Sequence, residues 1–103
     1  MNLTKNNSSG VIRLRPTWNH KKKGKVHRAI KFTGDNYDEI LEFAGEYAYM
    51  DKIRTPNGMV DGIIIRTPLG DSCPGKGTWI LEDLPGCYYI YLEIELENDY
   101  VVI

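Results

Sequence analysis

Four side chains in the sequence have the chemistry of zinc ligands: His20, His27, Cys73 and Cys87. Structural zinc sites usually take their ligands as closely spaced pairs, in which only a few residues separate two histidines or two cysteines. Neither pair has that spacing, and no motif joins a cysteine to a histidine as nucleophile and base. The sequence therefore predicts no metal site, no cofactor and no enzymatic activity.

The cysteines also indicate the redox compartment. Cys73 and Cys87 form no Cys-x-x-Cys motif, and in a cytosolic protein two such cysteines are more often buried thiols than a disulfide. Residues 1–10 are polar where a signal peptide would be apolar, and no segment reaches the roughly 20 apolar residues of a membrane-spanning helix. We expect free thiols, no membrane contact and a cytoplasmic location.

Charge is divided unevenly along the chain, although the formal net charge is only -1. Residues 1–34 carry nine lysines and arginines and no carboxylate, whereas residues 35–103 hold all 14 acids and only four basic residues. Such asymmetry is typical of a protein with an electrostatically attracted partner. The alternative is that the two parts neutralise each other across neighbouring strands of a sheet.

Acids are concentrated near the end of the sequence, where no lysine or arginine follows Lys76. Acids two residues apart on one strand stand about 6.6 Å apart, close to the spacing of phosphates along one DNA strand. Such a row can imitate nucleic acid and occupy a cationic channel. The alternative is that the acids only protect an edge strand from aggregation. The candidate partner-binding acids are Glu82, Asp83, Glu93, Glu95, Glu97 and Asp99.

A basic segment near the start of the sequence is the alternative binding surface. Its lysines and arginines flank a tryptophan, a combination that contacts the phosphate backbone of a nucleic acid and stacks on a base. The candidate nucleic-acid-binding residues are Arg13, Arg15, Trp18, Lys21, Lys22, Lys23 and Lys25.

Hydropathy patterns indicate the elements that position these residues. Residues 1–10 are polar and are expected to form a flexible tail, followed by a single domain over residues 11–103. The remaining patterns predict strands at residues 11–15, 25–32, 47–53 and 62–66, a hairpin of residues 78–81 and 87–91, and a final strand at residues 100–103. The strand at residues 62–66 is expected to be buried on both faces, and the strand at residues 25–32 to have one mainly apolar face.

One helix is predicted over residues 36–44. Asp35 or Thr33 can cap its amides, acids in its first turn suit its positive end, and Ile40 and Phe43 belong to its buried stripe. The predicted fold class is α+β, a twisted and mainly antiparallel β-sheet with this helix packed on it.

Residues 90–97 fit two structures. Apolar side chains alternate with Tyr91 and three glutamates, which predicts an outer strand whose acids face water. Leu92 and Leu96 are four residues apart, which leaves a single helical turn as the alternative.

Several short motifs resemble a widespread family of small phage and prophage proteins. The stretch at residues 29–36, AIKFTGDN, leads into EILEFAG at residues 39–45. The family continues with an Ile-Arg-Thr strand, a tight turn, a Trp-Ile strand and an aromatic hairpin, and the matching motifs here are Ile65-Arg66-Thr67, Trp79-Ile80 and Tyr88-Tyr89. The resemblance covers about residues 25–103, and its motifs look structural and contain no catalytic set.

Within this family the chain is most similar to the type II-A anti-CRISPR proteins, which inhibit an RNA-guided DNA nuclease. The resemblance implies a non-enzymatic phage or prophage protein that acts in the cytoplasm of the bacterial host by stoichiometric binding. The implied partner is the type II CRISPR effector nuclease or its complex with guide RNA.

One feature of the sequence departs from this family. Family members commonly carry prolines after the aromatic hairpin, whereas residues 90–96 contain none here. This departure marks the acidic segment as a place for a specialised binding surface. The alternative functions are a phage accessory protein that binds nucleic acid through the basic segment, and a virion or assembly component.

Overall fold

The computed structural model describes residues 10–17 and 26–103 of the chain. The fold is α+β, as the sequence predicts, and every pair of strands in this part is antiparallel. A 3₁₀ turn at Gly45–Tyr47 follows the first helix. The elements are β1 Val11–Pro16, β2 His27–Lys31, α1 Tyr37–Ala44, β3 Ala48–Thr55, β4 Gly58–Thr67, β5 Gly70–Ser72, β6 Trp79–Leu84, β7 Cys87–Tyr91, α2 Glu93–Asp99 and β8 Tyr100–Val102.

The described strands form two sheets where the sequence predicts one. The large sheet has the order β7-β6-β2-β1-β8, and the small sheet has the order β3-β4-β5. One polar row shows the register of the large sheet: Arg13 lies opposite Arg28, Arg28 opposite Glu82, and Glu82 opposite Tyr88. The sheets are separate because β3, β4 and β5 pair only with one another.

The predicted first helix is confirmed as α1. Ile40, Phe43 and Ala44 are buried, and the helix ends at Gly45, whose positive φ of 57° favours glycine. The predicted side-chain cap is wrong, because no side chain caps the first turn of α1. Asn36 instead joins the preceding loop to β2: its amide accepts a hydrogen bond from the backbone N–H of Thr33 and donates one to the carbonyl of Lys31.

Hydrophobic core residues lie on both faces of the large sheet. We call these faces its α1 side, which packs on α1 and the small sheet, and its α2 side, which packs on α2. The buried residues of the α1 side are Ile30, Phe32, Ile40, Phe43, Ala44, Ala48, Ile63, Ile65, Ile80 and Tyr88. Those of the α2 side are Ile12, Leu14, Ala29, Trp79, Leu81, Leu96 and Tyr100. Because β2 lies in the middle of this sheet, it is buried on both faces and not on one.

The small sheet buries only its inner face. Ile63 and Ile65 of β4 are 1% and 0% exposed and contribute to the core on the α1 side. Ile64 points the other way, lies opposite Tyr49 of β3 and is half-buried. The predicted burial of this strand on both faces is therefore wrong, because no further layer of the described residues covers the outer face.

The segment after β7 is the helix α2, so the predicted strand over residues 90–97 is wrong beyond Tyr91. The backbone N–H of Leu96 donates to the carbonyl of Leu92 at 3.1 Å, the bond of a helical turn. Leu96 is 0% exposed, whereas Leu92 and Ile94 are 56% and 62% exposed. A strand would have placed these three side chains on one face, and the helix buries only Leu96.

Candidate functional site

The exposed face of α2 combines an apolar side chain with carboxylates. Successive residues of a helix are about 100° apart, so Ile94 points away from the large sheet when Leu96 points into it. Glu95 and Glu97 lie on the two flanks of Ile94, Glu95 exposed and Glu97 half-buried. The helix carries four acids and no basic residue. Its outer face is therefore an apolar centre between negative charges.

Glu93 fixes the start of α2 to the large sheet. Its carboxylate accepts hydrogen bonds from Trp79 Nε1 at 3.1 Å and from Lys31 Nζ at 3.4 Å. The Trp79 hydrogen bond and the nearby Lys31 hold the pKa of Glu93 below its ordinary value. This acid, which the sequence suggests for partner binding, is engaged within the protein.

Glu95 and Asp99 hold the two ends of α2. The carboxylate of Glu95 accepts a hydrogen bond of 2.8 Å from the backbone N–H of Leu92, which satisfies an amide that the helix itself leaves unpaired. At the other end, the backbone carbonyl of Asp99 accepts hydrogen bonds from the N–H and the hydroxyl of Thr17. The Asp99 contact uses its backbone alone, whereas the Glu95 contact uses the carboxylate.

Glu82 lies on the opposite face of the large sheet and belongs to an internal ion pair. Arg28 Nε and Nη2 donate to its two carboxylate oxygens at 3.0 and 3.1 Å, and the Tyr88 hydroxyl donates at 3.0 Å. The Arg28 hydrogen bonds hold the pKa of Glu82 below its ordinary value, while burial and the Glu82 contact raise the pKa of Tyr88 to about 12. Arg28 also stacks 4.9 Å from the centre of the Phe43 ring.

Asp83 lies on the α2 side, beside the buried His27. His27 Nδ1 is 2.9 Å from the Asp83 carbonyl oxygen and 3.8 Å from its carboxylate. The His27 ring is 3% exposed and packs edge-on against Tyr100. Its Nε2 has no hydrogen-bond partner among residues 10–17 and 26–103. His27 is therefore a buried side chain of the protein interior and not an exposed binding residue.

The structure thus brings four of the six predicted acids together and separates the others. Glu93, Glu95, Glu97 and Asp99 share α2, whereas Glu82 lies across the large sheet. Among the described residues, two ion pairs join cations of the first third of the chain to these acids: Arg28 with Glu82, and Lys31 with Glu93. Neutralisation across neighbouring strands, the alternative explanation of the charge asymmetry, therefore accounts for part of it.

Arg13 and Arg15 of the predicted basic surface are exposed on β1. They are two residues apart on one strand, so they project from the same face, which Arg28 shares. Within residues 10–17 and 26–103 neither has an ion-pair partner. Most of the predicted flexible tail lies outside the described residues, as do the other members of the basic surface: Trp18, Lys21, Lys22, Lys23 and Lys25.

Comparisons with protein-family models, with curated proteins and with solved structures found no match. In the described part of the chain no three metal-binding side chains come together, and no helix there has the length and apolarity to cross a membrane. Cys73 is an exposed free thiol and Cys87 a partly buried one. Burial raises the pKa of the Cys73 thiol, which lowers its reactivity as a thiolate.

Sequence reasoning missed Ile94 as a member of the site. The alternating pattern placed it on the buried face of a strand, together with Leu92 and Leu96. The signal for the helix was the four-residue spacing of Leu92 and Leu96 together with Glu95, which stands three residues after Leu92 as in a capping box. Once α2 is helical, Ile94 becomes an exposed apolar residue between two acids.

Proposed function

We propose that the protein is a non-catalytic inhibitor that binds a type II-A RNA-guided nuclease, or the complex of that nuclease with guide RNA, in the cytoplasm of a bacterial host. The observation that carries the proposal is the outer face of α2, where Ile94 stands exposed between Glu95 and Glu97. The family resemblance at residues 25–103 gives the class of partner.

Charge supports this docking face. The nuclease holds its RNA–DNA heteroduplex in a positively charged channel and reads the adjacent motif with arginines. A helix with four acids and no base is attracted to such a surface, and complementary charge raises the rate of encounter. Glu95 and Glu97 are the acids of α2 best placed for this role, because neither is paired with a cation among the described residues, whereas Glu93 is bound to Lys31 and Trp79. Glu95 accepts only the neutral amide of Leu92 and keeps its charge.

Packing supports it as well. Protein interfaces usually have an apolar centre surrounded by a polar rim, and a few central side chains supply most of the binding energy. Ile94 has the position of such a centre, at 62% exposure on a helix whose other large apolar residue, Leu96, is fully buried. The strand-like row of acids that would imitate DNA is absent from α2, so we propose docking of a helix face and not mimicry of a phosphate row.

A triple variant tests the proposal: Ile94→Ala with Glu95→Gln and Glu97→Gln. Glutamine at residue 95 retains the acceptor for the Leu92 amide, so the helix start is preserved. The matched control is Met59→Ala with Asp38→Asn and Glu42→Gln, which makes the same change in charge and also removes an exposed apolar side chain. Both variants should melt at the temperature of the native protein.

Binding to the purified nuclease, with and without guide RNA, is then measured by biolayer interferometry. We expect the triple variant to bind at least about tenfold more weakly and to lose inhibition of DNA cleavage, and the control to bind normally. Native affinity in the triple variant at an unchanged melting temperature would refute the role of α2. Absence of any complex with the native protein would refute the proposed function itself.

A second candidate function is nucleic-acid binding through the basic surface. It is favoured by Arg13 and Arg15, which are exposed on one face without an ion-pair partner in the described part. Binding to a single-stranded oligonucleotide is measured over a range of salt concentrations, and the logarithm of the binding constant is plotted against the logarithm of the salt concentration. Replacing both arginines with glutamine should make the slope of this plot less steep by roughly 0.7 for each phosphate contact that is lost. Lys52→Gln with Arg54→Gln is the control, and an equal effect of both variants would exclude a specific basic site.

A further inference from the structure

The outer edge of β7 is unpaired in the described part of the chain. β7 ends the large sheet and pairs only with β6, so every second amide and carbonyl of the strand points away from the sheet. Exposed groups of this kind are a template for another extended chain.

β7 lacks the protection that the other free edges carry. β3 is the edge of the small sheet and contains Asp51, Lys52 and Arg54, while β5 and β8 have only three residues each. Charges and shortness are the usual means of keeping an edge from pairing. The sequence of β7, Cys-Tyr-Tyr-Ile-Tyr, has five residues with no charge and no proline. Among the described strands, its edge therefore lacks the usual protection against strand addition.

A cleft of about 260 Å³ lies beside this edge. One wall is formed by Tyr89 and Ile90 of β7, and the other by the hairpin between β4 and β5. Leu69, at the turn of that hairpin, is 90% exposed. The volume lies below the roughly 300–1,000 Å³ typical of small-molecule pockets. A strand that pairs with β7 would lie about 4.8 Å from it, on the side of this cleft.

We propose that an extended segment of the nuclease adds to the edge of β7 inside this cleft. The inference rests on the proposed function and names a second contact besides α2. A row of main-chain donors and acceptors is satisfied by another main chain, which defines the occupant as a strand. Among the described residues that line the cleft only Asp71 is charged, and its carboxylate already accepts a hydrogen bond of 2.7 Å from the Tyr49 hydroxyl, so we expect the segment to have mainly apolar side chains.

A second copy of the chain fits the cleft less well. Its own β7 edge carries the same β4–β5 hairpin beside it, so symmetric pairing would crowd two hairpins at one edge. A single segment from a larger partner meets no such obstacle.

Hydrogen–deuterium exchange with single-residue resolution tests the inference, with the nuclease–guide complex as probe. In the free protein we expect alternate amides of β7 to exchange quickly, because they point away from β6. In the complex these amides should slow by at least about tenfold. The amides on the free edge of β3, a second unpaired strand on the same molecule, should not change.

Each outcome separates the two proposals. Slowing confined to β7 supports strand addition, whereas a stable complex with unchanged β7 exchange overturns it and leaves the proposed function standing. Absence of a complex overturns both. If the β7 amides of the free protein exchange more slowly as the protein concentration rises, and light scattering shows a doubled mass, the edge pairs with a second copy of the chain. That result overturns the proposal of a nuclease segment.

A pair of variants provides a check on affinity. Leu69→Lys places a charged side chain at the mouth of the cleft without touching the core, since Leu69 is almost fully exposed. We expect it to weaken binding to the nuclease about tenfold. Met59→Lys makes the same kind of change on β4 away from the cleft and should bind normally. Equal affinities of the two variants would count against the cleft.

Discussion

Replacing Leu96 with alanine tests the helical structure of α2 directly. The Leu96 side chain is 0% exposed and packs in the core on the α2 side of the large sheet, so Leu96→Ala removes buried atoms and leaves a cavity. Such substitutions lower the free energy of unfolding by about 2–5 kcal/mol. In a domain of this size each kcal/mol lowers the melting temperature by about 4–8 °C, which gives an expected fall of roughly 8–40 °C.

Ile94→Ala is the matched comparison. Ile94 is 62% exposed on the same helix, and surface substitutions usually change stability by less than about 0.5 kcal/mol. Alanine also has a higher helix propensity than isoleucine, which offsets part of any loss. The melting temperature of Ile94→Ala should therefore stay within about 3 °C of the native value.

Thermal and urea denaturation, both followed by far-UV circular dichroism, measure the difference. The slope of the free energy of unfolding against urea concentration should be the same in both variants and in the native protein. An unchanged slope would show that a shift in the urea midpoint reports a change in stability and not in the compactness of the unfolded state. On a strand, Ile94 and Leu96 would share one buried face. Equal losses of stability in the two variants would therefore refute the helix and restore the strand.

The remaining predictions concern the α1 side, pH and metal. Phe43→Ala should cost about 3–5 kcal/mol in urea denaturation because Phe43 is 6% exposed, and a loss under about 1 kcal/mol would contradict its packing on the large sheet. Arg28 lowers the pKa of Glu82 in the folded protein, so this contribution to stability is present above the ordinary pKa of about 4.3 and is lost as the pH falls through the lower folded value. Stability should fall more steeply below about pH 4 in the native protein than in Glu82→Gln, and parallel pH curves would contradict the ion pair. Binding to the nuclease should persist in excess EDTA, and loss of binding that zinc restores would contradict a metal-free site.

The parts of the fold that were predictable have local signals. Gly45 marked the end of α1, and Pro85-Gly86 marked the turn between β6 and β7, because these residues impose backbone geometry wherever they occur. The segment at residues 92–98 was ambiguous, since seven residues fit both an alternating and a helical pattern. Burial of Leu96 against the large sheet, a tertiary contact, decided between them.

The acids of the site were predictable by type, but their partners were not. Glu82 binds Arg28 from 54 residues away, and Glu93 binds Lys31 from 62 residues away. These residues meet only because β2 lies beside β6 in the large sheet. The order of strands in a sheet has no local signature in the sequence, so the pairs were not predictable. The exposure of Ile94 was not predictable for the same reason. It depends on α2 being a helix and on Leu96 being the residue that faces the large sheet.

The pairing of β1 with β8 has a consequence for the order of folding. Leu14 lies opposite Val102, so β1 gains its second neighbour only after nearly the whole described chain has been synthesised. The β3–β4 hairpin, in contrast, closes through a turn at residues 56–57 and needs no distant segment. Contacts between distant residues form slowly because the chain entropy of a long loop must be lost first. Since α2 directly precedes β8, we expect its outer face to form late in folding, when the distant contact between β1 and β8 closes.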